Sequence, residues 1–233
     1  MLQNDIDKSV LERRVNMYLT ELHAHTKETS PCSHITANEL VHKYKELGYS
    51  TLVITDHYTE KLLTSENPVE VVERFLQGYN TALLTGEKIG LKVLLGMEIR
   101  FTNEKEDYLV YGVTKEFLIA NYDICKKNII DLRKKLDEST IPYFISQAHP
   151  GRSTCKYPTY LDGIEVFNAM NHQAEMNTIA ENYSKEFNLI PTSGTDCHNS
   201  EIIGKGGIST LTPIITINDL IISLKRNNYK GIN

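Results

Sequence analysis

The chain has 233 residues, of which 40% are hydrophobic and 24% charged, a balance that excludes disordered and fibrous proteins. Its formal net charge of −5 provides no overall basic field for nucleic acid or an anionic membrane. No segment has the roughly 20 apolar residues that span a bilayer. The charged start MLQNDIDKSVLERRV also lacks the apolar core of a signal peptide.

The four cysteines, Cys32, Cys125, Cys155 and Cys197, are widely spaced and form no CxxC pair. In a chain of this length they are typical of reduced thiols rather than a disulfide framework. We therefore expect a cytoplasmic protein that does not associate with membranes.

Seven short apolar runs alternate with helical patterns along the chain. Thr36 and Glu39 form a capping-box pattern, and Gly48 is a natural helix end, so the clearest helix is predicted over 36–48. Strands that alternate with helices predict parallel βα units in one domain covering 1–233, as a barrel or an open sheet. The predicted strands are 18–25, 50–57, 91–99, 108–113, 142–149, 163–169 and 189–196, and the further helices are 68–85, 115–138, 171–187 and 217–227.

Polar side chains occur at or near the ends of these predicted strands. In a barrel the carboxyl ends of all strands open on one face, which holds the active site, whereas an open sheet would spread them along a crevice. No glycine-rich phosphate loop follows the first strand, and this favours the barrel. The residues concerned are His23, His25, Asp56, His57, Glu98, His149, Asn168, Asp196 and His198.

Two pairs of these residues have the spacing of neighbours on one face of a strand. His23 with His25, and Asp196 with His198, can each direct both side chains to one ion. Together with Glu98 and His149 they suit Zn, Mn or Fe in a catalytic site with open positions. Taken singly, each has an ordinary alternative: Asp56 could cap a turn and His57 could be a core histidine, while His42 and His172 fit helix surfaces or packing.

The segment SGTDCHN also raises the possibility of a thiol nucleophile. Because neighbours on a strand point to opposite faces, Cys197 should point away from the centre if His198 points towards it. No GxSxG elbow supports a serine nucleophile either. We therefore expect Cys197 to pack in the core.

In order along the chain, ELHAHT, SPCSHITANELV, VITDH, GMEI, AHPGR, IEVFNA and SGTDCH resemble the motifs of the PHP (polymerase and histidinol phosphatase) domain family over about residues 18–207. The resemblance implies a distorted (β/α)7 TIM-like barrel that binds two or three divalent ions and hydrolyses phosphate esters. Two departures from the family pattern are Glu21, where the family usually has Asp, and Asp107, the nearest candidate where many members have a histidine.

The resemblance also implies roles for individual residues. The first ion would be held by His23, His25, Glu98 and Asp196, with Glu98 bridging to a second ion held by His57 and His198. His149 would hold a third ion, with Asp107 as a candidate partner. His34 falls about where the family often places an Asp or His ligand.

The predicted reaction is attack on the phosphorus of a small phosphorylated metabolite by a hydroxide that bridges two ions. Glu98 and Asp196 serve catalysis through the ions, Arg152 is expected to bind a phosphate oxygen, and Asn168 to position the substrate. The alternatives are a nuclease or nucleotide phosphoesterase, with the basic run 126–135 as its support, and a metal-binding module without activity. An amidohydrolase-like C–N hydrolase is less favoured, because no motif for a bridging lysine is found.

Overall fold

The computed structural model describes residues 17–171 and 173–233, so the predictions for the first 15 residues and for His172 lie outside the described part. Within this part no helix is both long and apolar enough to cross a bilayer. The strands are β1 Tyr18–Ala24, β2 Tyr49–Ile54, β3 His57–Tyr58, β4 Lys92–Arg100, β5 Asp107–Tyr111, β6 Phe144–Gln147, β7 Gly163–Asn168, β8 Ile190–Gly194, β9 Gly207–Thr210 and β10 Lys230–Ile232. The α-helices are α1 Ala37–Glu46, α2 Pro68–Phe75, α3 Gln77–Ile89, α4 Lys115–Ala120, α5 Ile129–Ser139, α6 Ala174–Phe187 and α7 Ile217–Lys225.

The strands form one sheet in the order β10-β9-β1-β2-β4-β5-β6-β7-β8, with β3 paired to β4. The sheet curls into a nearly closed, distorted barrel, as the sequence predicts. Backbone hydrogen bonds join β1 to the segment after β8, from Cys197 N to His23 O at 3.2 Å and from His25 N to Cys197 O at 3.1 Å. The barrel is therefore closed at the end where the predicted ligands lie.

The expectation of uniformly parallel strands is wrong for β5, which runs antiparallel to both β4 and β6. Only residues 101–106 connect β4 to β5. A parallel crossover needs a dozen or more residues, so this short connection can make only a hairpin. The reversal brings Asp107, at the start of β5, to the same end of the barrel as the carboxyl ends of the parallel strands.

Two predicted helices are each divided in the structure. The helix over 68–85 becomes α2 and α3, which meet at Leu76. The helix over 115–138 becomes α4 and α5, because Thr114 and Asn128 each cap a separate helix start. The capping box of Thr36 with Glu39 at α1 is confirmed, and Gly48 follows in a left-handed conformation with φ of 79°.

Buried apolar residues pack around the sheet in three clusters, and these leave the polar end of the barrel to the site. One cluster packs α2, α4 and α5 against the middle strands. A second packs α1 and α3 against β1 and β2, and Cys197 lies in it, completely buried. The third joins the inner strand residues to α7. Cys197 thus packs away from the predicted centre, as expected from strand alternation.

Candidate metal centre

Four imidazoles stand together at the mouth of the barrel. His23 and His25, from β1, have their Nε2 atoms 3.1 Å apart. The rings of His57 and His198 each lie 4.3 Å from the ring of His25, centroid to centroid. The structure therefore brings these four predicted ligands to one place.

Hydrogen bonds on the outer side of the rings fix which nitrogen can bind an ion. Nδ1 of His23 lies 2.8 Å from Oε1 of Glu165, and Nδ1 of His198 lies 2.8 Å from the backbone oxygen of Asp196. Both partners are acceptors, so each Nδ1 carries a proton and each Nε2 is the nitrogen that is left to bind an ion. Histidines that bind metals commonly donate their other ring N–H to a carboxylate or a backbone oxygen in this way.

The contact between His23 and His25 fits two ligands of one ion. Two lone pairs facing each other at 3.1 Å repel unless a proton or a cation lies between them. Two nitrogens bound at about 2.0–2.1 Å to one tetrahedral zinc would stand about 3.3 Å apart. The observed separation is close to this value, so an ion bound by both imidazoles could take the place of the proton that joins them without metal.

Glu98, near the end of β4, lies between the histidines and is fully buried. Its Oε1 lies 3.0 Å from Nε2 of His149 and 3.4 Å from Nε2 of His23. Its Oε2 lies 3.3 Å from Nε2 of His25 and 2.7 Å from Nδ1 of His57. Despite this proximity, no described residue makes a well-directed hydrogen bond to Oε2. A buried carboxylate oxygen in this position is suited to a cation.

Asp196 reaches the centre by a turn rather than by regular strand alternation. It follows the end of β8 with φ of 54°, in the left-handed region. Its Oδ1 lies 3.4 Å from Nε2 of His25 and 3.3 Å from Nδ1 of His198. Asp196 and His198 therefore share one side, as predicted, although the backbone between them is not a regular strand.

The charges of the cluster shift the pKa values of its members in opposite directions. Burial raises the pKa of Glu98, but the neighbouring His57 and His23 outweigh it and hold the pKa well below its usual value. Burial lowers the pKa of His23, but the carboxylates of Glu165 and Asp196 outweigh it and raise the pKa well above its usual value. Burial and His57 lower the pKa of His25 to about 3, so this imidazole is neutral. Bound divalent ions would replace the histidine protons that balance the carboxylates.

A further group at the mouth consists of Glu98, Asp107 and His149, whose ligand atoms all lie within 4.8 Å of one another. Oδ2 of Asp107 lies 3.7 Å from Nε2 of His149. Asp107 also accepts two hydrogen bonds from Arg100, one from Nε at 2.7 Å and one from Nη2. Asp107 is thus close enough to Glu98 and His149 to share a third ion with them, but Arg100 already neutralises its charge.

Arg152 and Asn168 lie beside Asp196 on the rim. Nη2 of Arg152 donates to Oδ2 of Asp196 and to Oδ1 of Asn168, both at 2.9 Å, and its Nε donates to Oδ1 of Asn171 at 2.8 Å. The amide nitrogen of Asn168 donates to Glu165 at 2.8 Å. Asn168 is buried, and its side chain bonds to Arg152, Glu165 and Asp196, so its contact with a substrate stays a prediction.

In the loop between β1 and α1, the side chains of Cys32 and His34 are both exposed. The side chain of His34 is exposed and belongs to none of the candidate ligand groups found among the described residues. The thiol of Cys32 is within hydrogen-bonding reach of the imidazoles of His57 and His198. Partial burial acts to raise the pKa of Cys32, but the hydrogen bonds to His198 and His57 outweigh it and lower the pKa to about 6.

Glu165 is a functional residue that the sequence analysis missed. It is buried on β7, where Oε1 binds His23 and Oε2 accepts from the backbone N of His149 at 2.9 Å. The sequence feature that could have indicated Glu165 is its position as the one acidic residue within the apolar run GIEVFNA. Regular alternation would put Glu165 and Asn168 on opposite faces, but a register shift between Glu165 and Phe167 brings them together.

Glu21, in the place of the family's Asp, supports the centre from behind. Oε1 accepts hydrogen bonds from the backbone N atoms of His23 and Thr195, both at 2.9 Å. Oε2 accepts from the hydroxyl of Tyr44 at 2.7 Å. Glu21 therefore ties β1 to the segment that carries Asp196.

Asp56, which follows β2, plays a similar supporting part by binding residues of the loop after β1. Its Oδ1 accepts from the backbone N of Thr26 and the hydroxyl of Ser30, both at 2.7 Å. Helix α3 passes close by at Gly78, where an added Cβ would lie 1.8 Å from Oγ1 of Thr26. A glycine is needed there so that the helix and the loop can pack together.

Comparison with known proteins identifies the family. Residues 21–196 match the PHP domain, and residues 174–229 match the PHP-associated family. The chain belongs to the PHP domain family, since the first match covers most of its length. A DNA polymerase III PolC-type protein of Latilactobacillus sakei subsp. sakei (strain 23K) is 25% identical over 183 residues. That match covers 72% of this chain and 11% of the polymerase, so the chain spans only a small part of this relative.

Solved structures share the fold at low sequence identity. A two-domain protein of Bacteroides vulgatus ATCC 8482, which contains a predicted PHP-like metal-dependent phosphoesterase, has a TM-score of 0.65 at 14% identity. It is matched over 93% of this chain and 64% of its own. PsfC from Pseudomonas syringae PB-5123 has a TM-score of 0.64 at 15% identity, over 93% of this chain and 91% of its own. The likeness to both structures concerns the barrel fold.

Proposed function

We propose that the chain is a metal-dependent phosphoesterase that hydrolyses a phosphate monoester of a small metabolite with two or three divalent Zn, Mn or Fe ions. The observation that carries the proposal is the 3.1 Å approach of the His23 and His25 Nε2 atoms beside the buried Oε2 of Glu98. Divalent ions bound there would lower the pKa of an attacking water and neutralise charge on the phosphoryl oxygens.

The contacts support a division of the ligands among the ions. His23, His25 and Asp196 form one group, in which all ligand atoms lie within 4.8 Å of one another. His57 and His198 would serve a second ion, with Glu98 between the two. The group of Glu98, Asp107 and His149 would serve a third ion.

The position of Arg152 on the rim supports a role in binding the phosphate of a substrate. Its side chain is 34% exposed, while the Asp196 carboxylate that it contacts is 3% exposed. Its Nη1 has no hydrogen-bond acceptor among residues 17–171 and 173–233. A guanidinium held by Asp196 and Asn168 at the rim could therefore bind an anionic oxygen without leaving its partners.

A nucleic-acid substrate is less favoured, although the polymerase relative keeps it as the second candidate. The basic run 126–135 lies on α5 and the turn before it. Arg133 on this helix already pairs with Asp162 at 3.2 Å, and Lys135 pairs with Glu138 at 3.0 Å. The surface is thus of mixed charge, as on an ordinary solvated helix.

The test is hydrolysis by metal-free protein reloaded with Zn, Mn or Fe and given phosphate monoesters, phosphodiesters and single-stranded DNA in parallel. We expect turnover of monoesters and its loss in Asp196→Asn, because this change removes a ligand charge from the centre. Asp123→Asn is the matched control, since Asp123 makes no capping hydrogen bond with its side chain.

The outcomes separate the candidates. Cleavage of DNA or diesters without monoester turnover would support the nuclease hypothesis. Metal binding without hydrolysis of any of these substrates would support a module without activity and contradict the proposal.

A further inference from the structure

The group of residues that would serve a third ion already contains a fixed cation. Asp107 is 2% exposed and accepts from Nε of Arg100 with Oδ1 and from Nη2 with Oδ2, so both of its oxygens bind one guanidinium. Asp196 also has an arginine partner, but Arg152 contacts only its Oδ2, and Oδ1 remains directed to the histidines. Asp107 therefore differs from the carboxylate of the first ion, because its arginine uses both oxygens.

The strand pairing builds this ion pair into the fold. β4 and β5 are antiparallel, and their register places Arg100 directly opposite Asp107. Arg100 follows Glu98 by two residues on β4, so both side chains lie on the same face of the strand. Backbone N of Ala148 donates to the backbone O of Asp107 at 2.9 Å, which fixes the start of β5 beside the residue that precedes His149. The backbone therefore sets the position of the guanidinium beside this group.

A third ion would compete with a cation that cannot lose its charge. A guanidinium stays protonated in proteins, and its fork binds a carboxylate as a strong charge-assisted pair. With Arg100 in place, the negative charge of Asp107 is balanced before an ion arrives. The other two members of the group contact each other, Nε2 of His149 with Oε1 of Glu98 at 3.0 Å. The residues thus favour two ions and an arginine over three ions.

The guanidinium of Arg100 also has unused donors. Its side chain is 50% exposed, and its Nη1 has no hydrogen-bond acceptor among residues 17–171 and 173–233. Arg152 is held at Asp196 with its own Nη1 likewise without an acceptor in that part of the chain. Two arginines, each held by a carboxylate of the centre, therefore stand beside it with N–H groups left to bind an anion.

We infer that Arg100 takes the place of a third ion: the centre holds two ions, and Nη1 of Arg100 binds an oxygen of the substrate phosphate. A phosphate monoester carries about 1.5–2 negative charges near neutral pH, whereas a diester carries only one. Two ions and two arginines suit the more highly charged group, so Arg100 would favour monoesters over diesters. The inference rests on the proposed function, because it assigns a role at the same centre.

Inorganic phosphate is the probe, and its binding is measured by calorimetry together with the Zn²⁺ content of the same sample. The wild type should retain two Zn²⁺ ions per chain and bind phosphate. Arg100→Ala loaded with two Zn²⁺ ions should bind phosphate about 10–100-fold more weakly, because it lacks a hydrogen bond between charged groups. Excess Zn²⁺ should add a third ion to this variant and restore most of the affinity, but should not change the affinity of the wild type.

Three further variants make the test specific. Arg100→Lys keeps the charge without the fork and should lose less affinity than Arg100→Ala. His149→Ala combined with Arg100→Ala should abolish the restoration by excess Zn²⁺. Lys156→Ala is the matched control, since it removes a cation that pairs with Glu104 at 3.4 Å and Glu106 at 3.5 Å rather than with a carboxylate of the centre. Its affinity for phosphate should equal that of the wild type.

The outcomes separate this inference from the proposed function. If Arg100→Ala with two Zn²⁺ ions binds phosphate as tightly as the wild type, or if the wild type retains three ions, the Arg100 inference fails and the proposed function stands. If the wild type binds neither Zn²⁺ nor phosphate, both fail.

Discussion

Oε1 of Glu165 lies 2.8 Å from Nδ1 of His23, and both side chains are buried at the base of the cluster. The bond holds the proton on Nδ1 and directs the Nε2 lone pair towards His25. Glu165 also accepts from the backbone of His149 and from Asn168, so one carboxylate orients three parts of the mouth.

Glu165→Ala should weaken binding of the first ion by about 10–100-fold, the usual effect of removing a partner of a metal-bound histidine. Competition with a chromophoric chelator would measure the affinity. Glu165→Gln keeps an acceptor oxygen and should be less damaging, while the exposed Glu181→Gln on α6 should have no effect. Unchanged affinity in Glu165→Ala would contradict the role given to this residue.

Metal binding should release protons and become tighter as the pH rises. Burial lowers the pKa of His23, but the carboxylates of the cluster outweigh it and raise the pKa above its usual value. Burial likewise lowers the pKa of His198, but Asp196 and Cys32 outweigh it and raise the pKa to about 10. These imidazoles are protonated at neutral pH without metal, and each must lose a proton to bind an ion. Calorimetric titration in buffers with different ionisation enthalpies would count the protons. An observed heat independent of the buffer would argue against this picture.

Arg100→Ala should increase binding of the third ion, because it frees the Asp107 carboxylate that faces His149. Elemental analysis after equilibration with Zn²⁺ would show one more ion per chain than in the wild type. Arg133→Ala, which removes a similar ion pair with Asp162 away from the centre, is the control. Equal metal content in the wild type and Arg100→Ala would show that Arg100 does not compete for this site.

Tyr44→Phe should lower the free energy of unfolding by about 1–3 kcal/mol, the cost of leaving a buried polar group without its partner. The hydroxyl of Tyr44 is buried between Glu21 at 2.7 Å and Oγ1 of Thr195 at 2.9 Å. Urea unfolding would measure the change, with Tyr157→Phe as a control because Tyr157 is 36% exposed. A change below a few tenths of a kcal/mol would mean that Glu21 is held adequately by its backbone donors.

Short periodic patterns were sufficient to predict alternating strands and helices with ligand residues at the strand ends. The choice of a barrel over an open sheet came from the resemblance to the PHP family. Seven of the ten strands match the predicted runs, four within them and three extending one residue beyond, and the other three have only two to four residues. The antiparallel β5 was not predicted, although the short connection 101–106 carried the information. Glu165 and Asp196 reach the site through a register shift and a left-handed residue, and residue spacing shows neither.

The loop between β1 and α1 shows the same limit at the site itself. The histidine in SPCSH was the natural candidate by residue type, so His34 was predicted, but it is exposed and belongs to no ligand group among the described residues. Hydrogen bonds from the loop to Ile35, Asp56 and His198 set the course of its backbone and leave both Cys32 and His34 exposed. Ile35 belongs to the loop's own turn, and Asp56 and His198 are distant from it in sequence. No periodic pattern in the sequence predicts these contacts.

The most direct test of the proposed centre counts bound ions and phosphate release in the same sample. Metal-free protein is titrated with Zn²⁺, Mn²⁺ or Fe²⁺ while the hydrolysis of p-nitrophenyl phosphate is followed, with Asp196→Asn treated in parallel. Turnover should be absent without metal, should rise steeply only after the first equivalent has bound, and should be lost in Asp196→Asn. Turnover that is complete without metal, or that survives unchanged in Asp196→Asn, would contradict the account.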